Sequence, residues 1–213
     1  MFVRLTLLYV GLFLFGFAIA LLVLADLGVP PWDVFHTGLA DRLGWSLGPT
    51  IVAVSFVVLL AWIPLRERPG LGTVSNAILV GTFIDVSAHL LPDATPDSLL
   101  VRIALVAAGI AINGVATGMY IGARFGPGPR DGLMTAISKR RWSVRTVRTA
   151  IEVCVLAAGV ALGGSIGVAT VAFAVLIGPI AHLSIPVFTG LTRPSPPRPT
   201  SARRVRTLLT RSG

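Results

Sequence analysis

The sequence predicts an all-α polytopic membrane protein. Six transmembrane helices form two inverted three-helix repeats, with short interfacial or re-entrant helices after helices 1 and 4. Composition, the spacing of apolar runs and an internal duplication together predict it. The 213 residues are 54% hydrophobic and only 13% charged, with a mean hydropathy of +0.84. A water-soluble surface of that size needs more charge than this. Apolar runs of about 18 to 23 residues recur, each long enough to cross a ~30 Å hydrocarbon core as a helix. The short alternating strands of a spanning barrel are absent.

Breaks at Gly, Pro and charge place the spans at roughly 5–27, 48–65, 70–91, 100–122, 147–163 and 166–189. The first imitates a secretion signal, with Arg4 ahead of it and Ala18-Ile19-Ala20 inside it. Its apolar run continues past that point, so it reads as a structural helix. Arginines set the orientation. Arg4, Arg66 and Arg68 mark one side, with the basic segment Arg124, Arg130, Lys139, Arg140, Arg141, Arg145 and Arg148. The intervening connections hold Asp26, Asp33, Asp41, Asp93 and Asp97 against Arg42 and Arg102. By the positive-inside rule both termini are cytoplasmic.

The duplication divides the chain into a first repeat over residues 1–92, a second over 99–190, and a basic tail over 192–213. At an offset of 98, Gly28, Pro31, Asp33 and Thr37 fall on Gly126, Pro129, Asp131 and Thr135. From Trp45 onward the offset is 97, and thirteen of the thirty-seven positions from 45 to 81 are identical. Chance between two apolar stretches does not align Gly70, Thr73 and Gly81 with Gly167, Thr170 and Gly178. A repeat of three spans is odd, so its two copies cross in opposite senses. That architecture is frequent in transporters.

The two corners, "LGVPPWDVFH" and "FGPGPRDGLM", each end a span with Gly and Pro. Asp33 and Asp131 stand where an N-cap belongs, and capping the next turn is the plain reading. A polar mouth into the protein is the other, and Arg130 favours it because a cap needs no arginine. Phe35, Leu39 and Leu43 form an apolar stripe after the first corner; Leu133, Met134 and Ile137 form one after the second, closed by Lys139 to Arg141. Ser46 and Ser143 then cap the following spans beside Trp45 and Trp142 at headgroup depth.

The segments "GVPPWDVFHTGLADRLGWSLG", "GPGPRDGLMTAISKR" and "VRTAIEV", with "IGP" in the last span, resemble the YczE/YyaS/YitT family of bacterial integral membrane proteins. The resemblance runs over all six spans and leaves out the tail. It implies a bacterial plasma-membrane location and supplies no substrate or reaction.

Ionisable groups at membrane depth are costly and point to candidate sites. Glu152 lies four residues after Arg148, a pairing distance, and substrate or proton handling is the alternative. Asp85 and His89 are likewise four apart, and the duplication puts His182 opposite Asp85. With Asp33 and His36 they suggest a mixed cation site, but two ligands on one helix are thin support, so no metal is expected. Asn113 sits mid-span beside a stripe of Gly109, Gly114, Gly118 and Gly122, where close helix packing and a cross-helix hydrogen bond are expected. Gly159 and Gly163 offer a similar surface.

No nucleophile motif, zinc-protease pair, phosphate loop or dinucleotide pattern occurs, so neither enzyme nor cofactor is expected. Cys154 is the single cysteine, which excludes an internal disulfide. The net charge of +9 belongs to membrane loops rather than to nucleic-acid binding. The Arg-rich loop and tail fit anionic inner-leaflet lipids, at up to ~1 kcal/mol per arginine. The function expected is a small-solute permease or efflux-type transporter. The alternative is an accessory protein that organises a membrane partner through its glycine stripes.

Overall fold

A computed structural model of the chain describes residues 1–192; the predicted basic tail, from Arg193 on, lies outside them. The described residues form α1 (Phe2–Ala25), α2 (Pro31–Leu43), α3 (Leu47–Leu60), α4 (Trp62–Leu65), α5 (Leu71–Leu90), α6 (Leu99–Gly122), α7 (Pro129–Arg141), α8 (Val144–Leu162) and α9 (Val168–Thr192), with no strand among them. Five segments are long and apolar enough to cross a membrane: α1, α3 with α4, α5, α6 and α9. α8 occupies the sixth expected position at 19 residues. It falls outside the five because Arg145, Arg148 and Glu152 crowd its first half. α2 and α7 have 13 residues each, about 20 Å of helix, too short to span.

α1 is the centre of the molecule. It packs along α6 and α5, and α6 packs in turn along α9. Leu8, Leu12, Ile19 and Leu22 of α1 are fully buried and join Ile84, Ile110 and Tyr120 in one core cluster. The glycine stripe seats α9 on α6. A Cβ at Gly114, Gly118 or Gly122 meets Ile180, Ser184 or Phe188 respectively, residues themselves spaced four apart. Gly109 faces Ala18 and Leu22 of α1 instead. Ser184 Oγ donates to the Gly114 carbonyl at 2.7 Å, a cross-helix bond that the close approach permits.

Equivalent positions of the duplication do the same local work. Gly28 and Gly126 adopt left-handed backbone at φ 101° and 111°, as do Asp26 and Arg124 at 47° and 59°. Arg102 donates to the Ala25 carbonyl at 2.7 Å and to that of Asp26. Arg4 donates to the carbonyls of Ala123 and Arg124 at 2.9 and 2.8 Å. Each arginine thus satisfies the otherwise unpaired carbonyl end of the other repeat's first helix. The Ala169 N–H donates to the Leu27 carbonyl at 2.9 Å, and the Gly72 N–H to that of Phe125 at 2.8 Å. Each Gly-Pro corner therefore docks on the first turn of the other repeat's last helix. No larger residue fits there: a Cβ at Gly28 lies 2.7 Å from both Gly167 Cα and Thr170 Oγ1.

The equivalence fails at one interface. α3 packs closely on α5, and a Cβ at Gly48 comes 2.5 Å from the Gly81 carbonyl oxygen. Asp85 straps the pair by accepting from Ser46 Oγ at 2.8 Å and the Gly48 N–H at 2.9 Å. The counterparts α8 and α9 have no comparable interface, and Gly178, the counterpart of Gly81, has nothing within 4 Å of a Cβ.

Candidate functional site

Proline occupies the first helical position in both α2 and α7, where a missing N–H costs nothing. That fixes Asp33 and Asp131 as the third residues of their helices. The N-caps are Pro30 and Gly128, neither with a side-chain cap bond. The expected capping role of the aspartates is therefore incorrect. The serines divide. Ser143 caps α8 by accepting from the Thr146 N–H at 3.1 Å, whereas Ser46 spends its hydroxyl on Asp85.

The first turns of α2 and α7 are drawn inward. Trp32 and Met134 share a buried cluster with Val58 and Val147, so the tips of the two short helices meet α3 and α8. The apolar stripe expected on α2 is its less buried side: Phe35 and Leu39 are half-buried and Leu43 exposed, while Asp33, Val34, His36, Gly38 and Ala40 are buried. Gly159 of α8 admits Phe35, whose N and Cα lie 2.5 and 2.7 Å from a Cβ placed there.

Between these tips lies a cavity of about 300 Å³. Asp33, Asn113, Arg130, Asp131, Arg148, Glu152 and His182 all line it. Seven side chains singled out from sequence positions far apart thus surround one space. Asp85 and His89 do not join them; they line two other cavities at the C-terminal part of α5. Asp85 is committed to its strap, and His89 Nδ1 lies 2.7 Å from the Asp85 carbonyl. The mixed cation site of Asp33, His36, Asp85 and His89 is not assembled. No metal-holding group of three His, Cys, Asp or Glu occurs among the described residues.

Asp33 is 1% exposed, and His36 Nδ1 donates to its Oδ1 at 2.9 Å. A carboxylate oxygen only accepts, so this ring carries its proton on Nδ1. Asp131 Oδ2 accepts from the Tyr120 hydroxyl. Arg148 Nε donates to Glu152 Oε1 at 2.9 Å, the pairing that their spacing predicts. The Arg130 guanidinium lies over the Trp32 ring, 5.4 Å from its centroid.

Three residues of the lining each carry a polar atom buried without any partner: Asp33 Oδ2, Trp32 Nε1 and Asn113 Nδ2. A buried polar group left unpaired costs about 1–3 kcal/mol. Three beside one cavity is therefore an expensive arrangement. The cross-helix bond expected of Asn113 is absent for its amide nitrogen; Ser184 makes the α6–α9 bond instead.

Sequence reasoning overlooked Tyr120, Trp32 and Asn76, all in the lining. A signal for Tyr120 was present. Asn113, Thr117 and Tyr120 stand at i, i+4 and i+7, a polar stripe along one face of an apolar helix, and all three line the cavity.

Residues 2–186 match the model of a family of unknown function, DUF6198. An uncharacterised protein of Haemophilus influenzae is 35% identical over 85% of this chain and 83% of its own length. The uncharacterised membrane protein YczE of Bacillus subtilis is 33% identical over 86% of each, and YyaS of the same organism 27% over 84% and 90%. No solved structure matches the chain. With five apolar helices of spanning length and relatives named in this way, the chain is an integral membrane protein of the DUF6198 family.

Proposed function

We propose that the chain is a small-solute permease of the bacterial plasma membrane. It has six spans, α8 serving as the sixth, and both termini are cytoplasmic. The repeats cross in opposite senses, so α2 enters from outside and α7 from inside as re-entrant half-helices whose tips meet at the polar cavity. One observation carries this reading. A cavity lined by Asp33, Arg130, Asp131, Arg148 and Glu152 lies between the two corners and keeps three buried polar atoms unpaired. Charges at that depth are tolerated where they line a pathway or a site. Broken helices meeting at a repeat interface are how many transporters bind solutes. The loss of symmetry between α3–α5 and α8–α9 supports it too, since alternating access needs two halves in different arrangements. The Arg-rich α6–α8 segment then faces the inner leaflet and its anionic lipids.

The test is solute uptake into proteoliposomes by the purified protein, beside Asp33→Asn, Asp131→Asn and Glu152→Gln. Uptake lost in variants that remain folded supports the permease. Uptake absent from the wild-type protein across a broad solute panel refutes it, and leaves the accessory role as the better reading.

A further inference from the structure

Resting on that reading of the cavity, the geometry points to its ligand class: a small zwitterion, with an ammonium group and a carboxylate joined by a short carbon skeleton. The unpaired atoms are one anionic acceptor, Asp33 Oδ2, and two neutral donors, Trp32 Nε1 and Asn113 Nδ2. The other carboxylates each hold a partner already: Asp131 the Tyr120 hydroxyl, Glu152 the Arg148 guanidinium. Asp33 too has one oxygen bonded, to His36, but it is the carboxylate of the lining whose other oxygen is buried without a partner, and it calls for a cationic donor. The indole and amide N–H groups call for acceptors. Arg130, held over the Trp32 ring, adds a positive charge on the acceptor side.

A simple cation satisfies Asp33 and leaves both N–H groups orphaned. A simple anion satisfies the N–H groups and sets its charge against Asp33. A zwitterion meets all three at once, because it brings a donor and an acceptor of opposite charge into one small space. The cavity's size, about 300 Å³, is at the lower end for ligand sites. Phe15, Ile19, Phe173 and Ile177 supply apolar wall for a short skeleton.

The experiment is thermal unfolding of the detergent-solubilised full chain with glycine, alanine, β-alanine and 4-aminobutyrate. Each is compared with a matching amine and carboxylate, such as ethylamine and propionate. The expected result is saturable stabilisation by at least one zwitterion and none by its two halves. Asp33→Asn weakens its apparent affinity about tenfold or more, the worth of a charge-assisted hydrogen bond. Trp32→Phe, which keeps an aromatic side chain and removes the indole N–H together with part of the ring, weakens it several-fold, and carries the test if the aspartate variant does not fold. Equal stabilisation by amine or carboxylate alone, or none by any zwitterion, overturns the inference. So does unchanged affinity in a folded Asp33→Asn protein. Binding without uptake removes the permease and keeps the ligand class; uptake of an amine alone does the reverse.

Discussion

Gly81 and Gly178 occupy the same position in the duplication, yet alanine at each should act in opposite directions. A methyl at Gly81 falls on the Gly48 carbonyl oxygen, 2.9 Å from Val52 Cγ2 and 3.1 Å from the Gly48 carbonyl carbon. Two of these three atoms are backbone, so relief requires moving α3 away from α5. Overpacking of this kind costs about 1–3 kcal/mol. The same movement stretches the hydrogen bonds of Asp85 to Ser46 and Gly48, and a bond to a charged group is worth about 1.5–3 kcal/mol. Gly81→Ala should therefore lose about 2–5 kcal/mol. Gly178 has nothing within 4 Å, so alanine there meets no clash and gains up to about 1 kcal/mol of helix propensity. Reversible unfolding of the two variants in mixed micelles measures the difference directly. Shifts of the same sign and similar size would refute the asymmetry between the α3–α5 and α8–α9 pairs.

Other perturbations separate packing from binding. Asp85→Ala should lower stability by about 1.5–3 kcal/mol while leaving zwitterion affinity unchanged, since Asp85 lies outside the polar cavity; affinity measured on the folded fraction checks it. Arg4→Gln and Arg102→Gln remove mirrored pairs of carbonyl contacts, and each should cost about 1–3 kcal/mol. The sites sit at opposite ends of the α1–α6 pair, so the double variant should lose the sum of the two; unfolding free energies test that additivity. Tyr120→Phe leaves Asp131 without its hydroxyl partner. A double-mutant cycle with Asp131→Asn should show a coupling of about 0.5–3 kcal/mol, read from the same unfolding curves.

Much of the fold was legible because hydropathy and duplication are one-dimensional signals. The expected spans match the helices to within a few residues, and Gly114, Gly118 and Gly122 do seat a neighbour. The break between α3 and α4 at Ala61 left no such mark. What failed depended on partners distant in sequence. Asp85 suggested a cation ligand through His89, four residues away, but its partners are Ser46 and Gly48, over thirty-five positions earlier. The aspartates of the corners were misassigned for a local reason that the sequence did contain. A proline at the first helical position puts Asp33 and Asp131 at the third, past the N-cap and free to turn inward. The convergence of Asp33, Asn113, Asp131 and Glu152 on one cavity required the tips of α2 and α7 to meet, and no spacing reports that.

The most direct test of the inverted pair enclosing this cavity is side-specific cysteine labelling. Single cysteines at Asp41 and Lys139, both exposed near the far ends of α2 and α7, would be placed in a Cys154→Ser background in sealed vesicles. Labelling of position 41 only from outside and of position 139 only from inside is the expected result. Labelling of both from the same side would contradict the opposed repeats, and with them the permease.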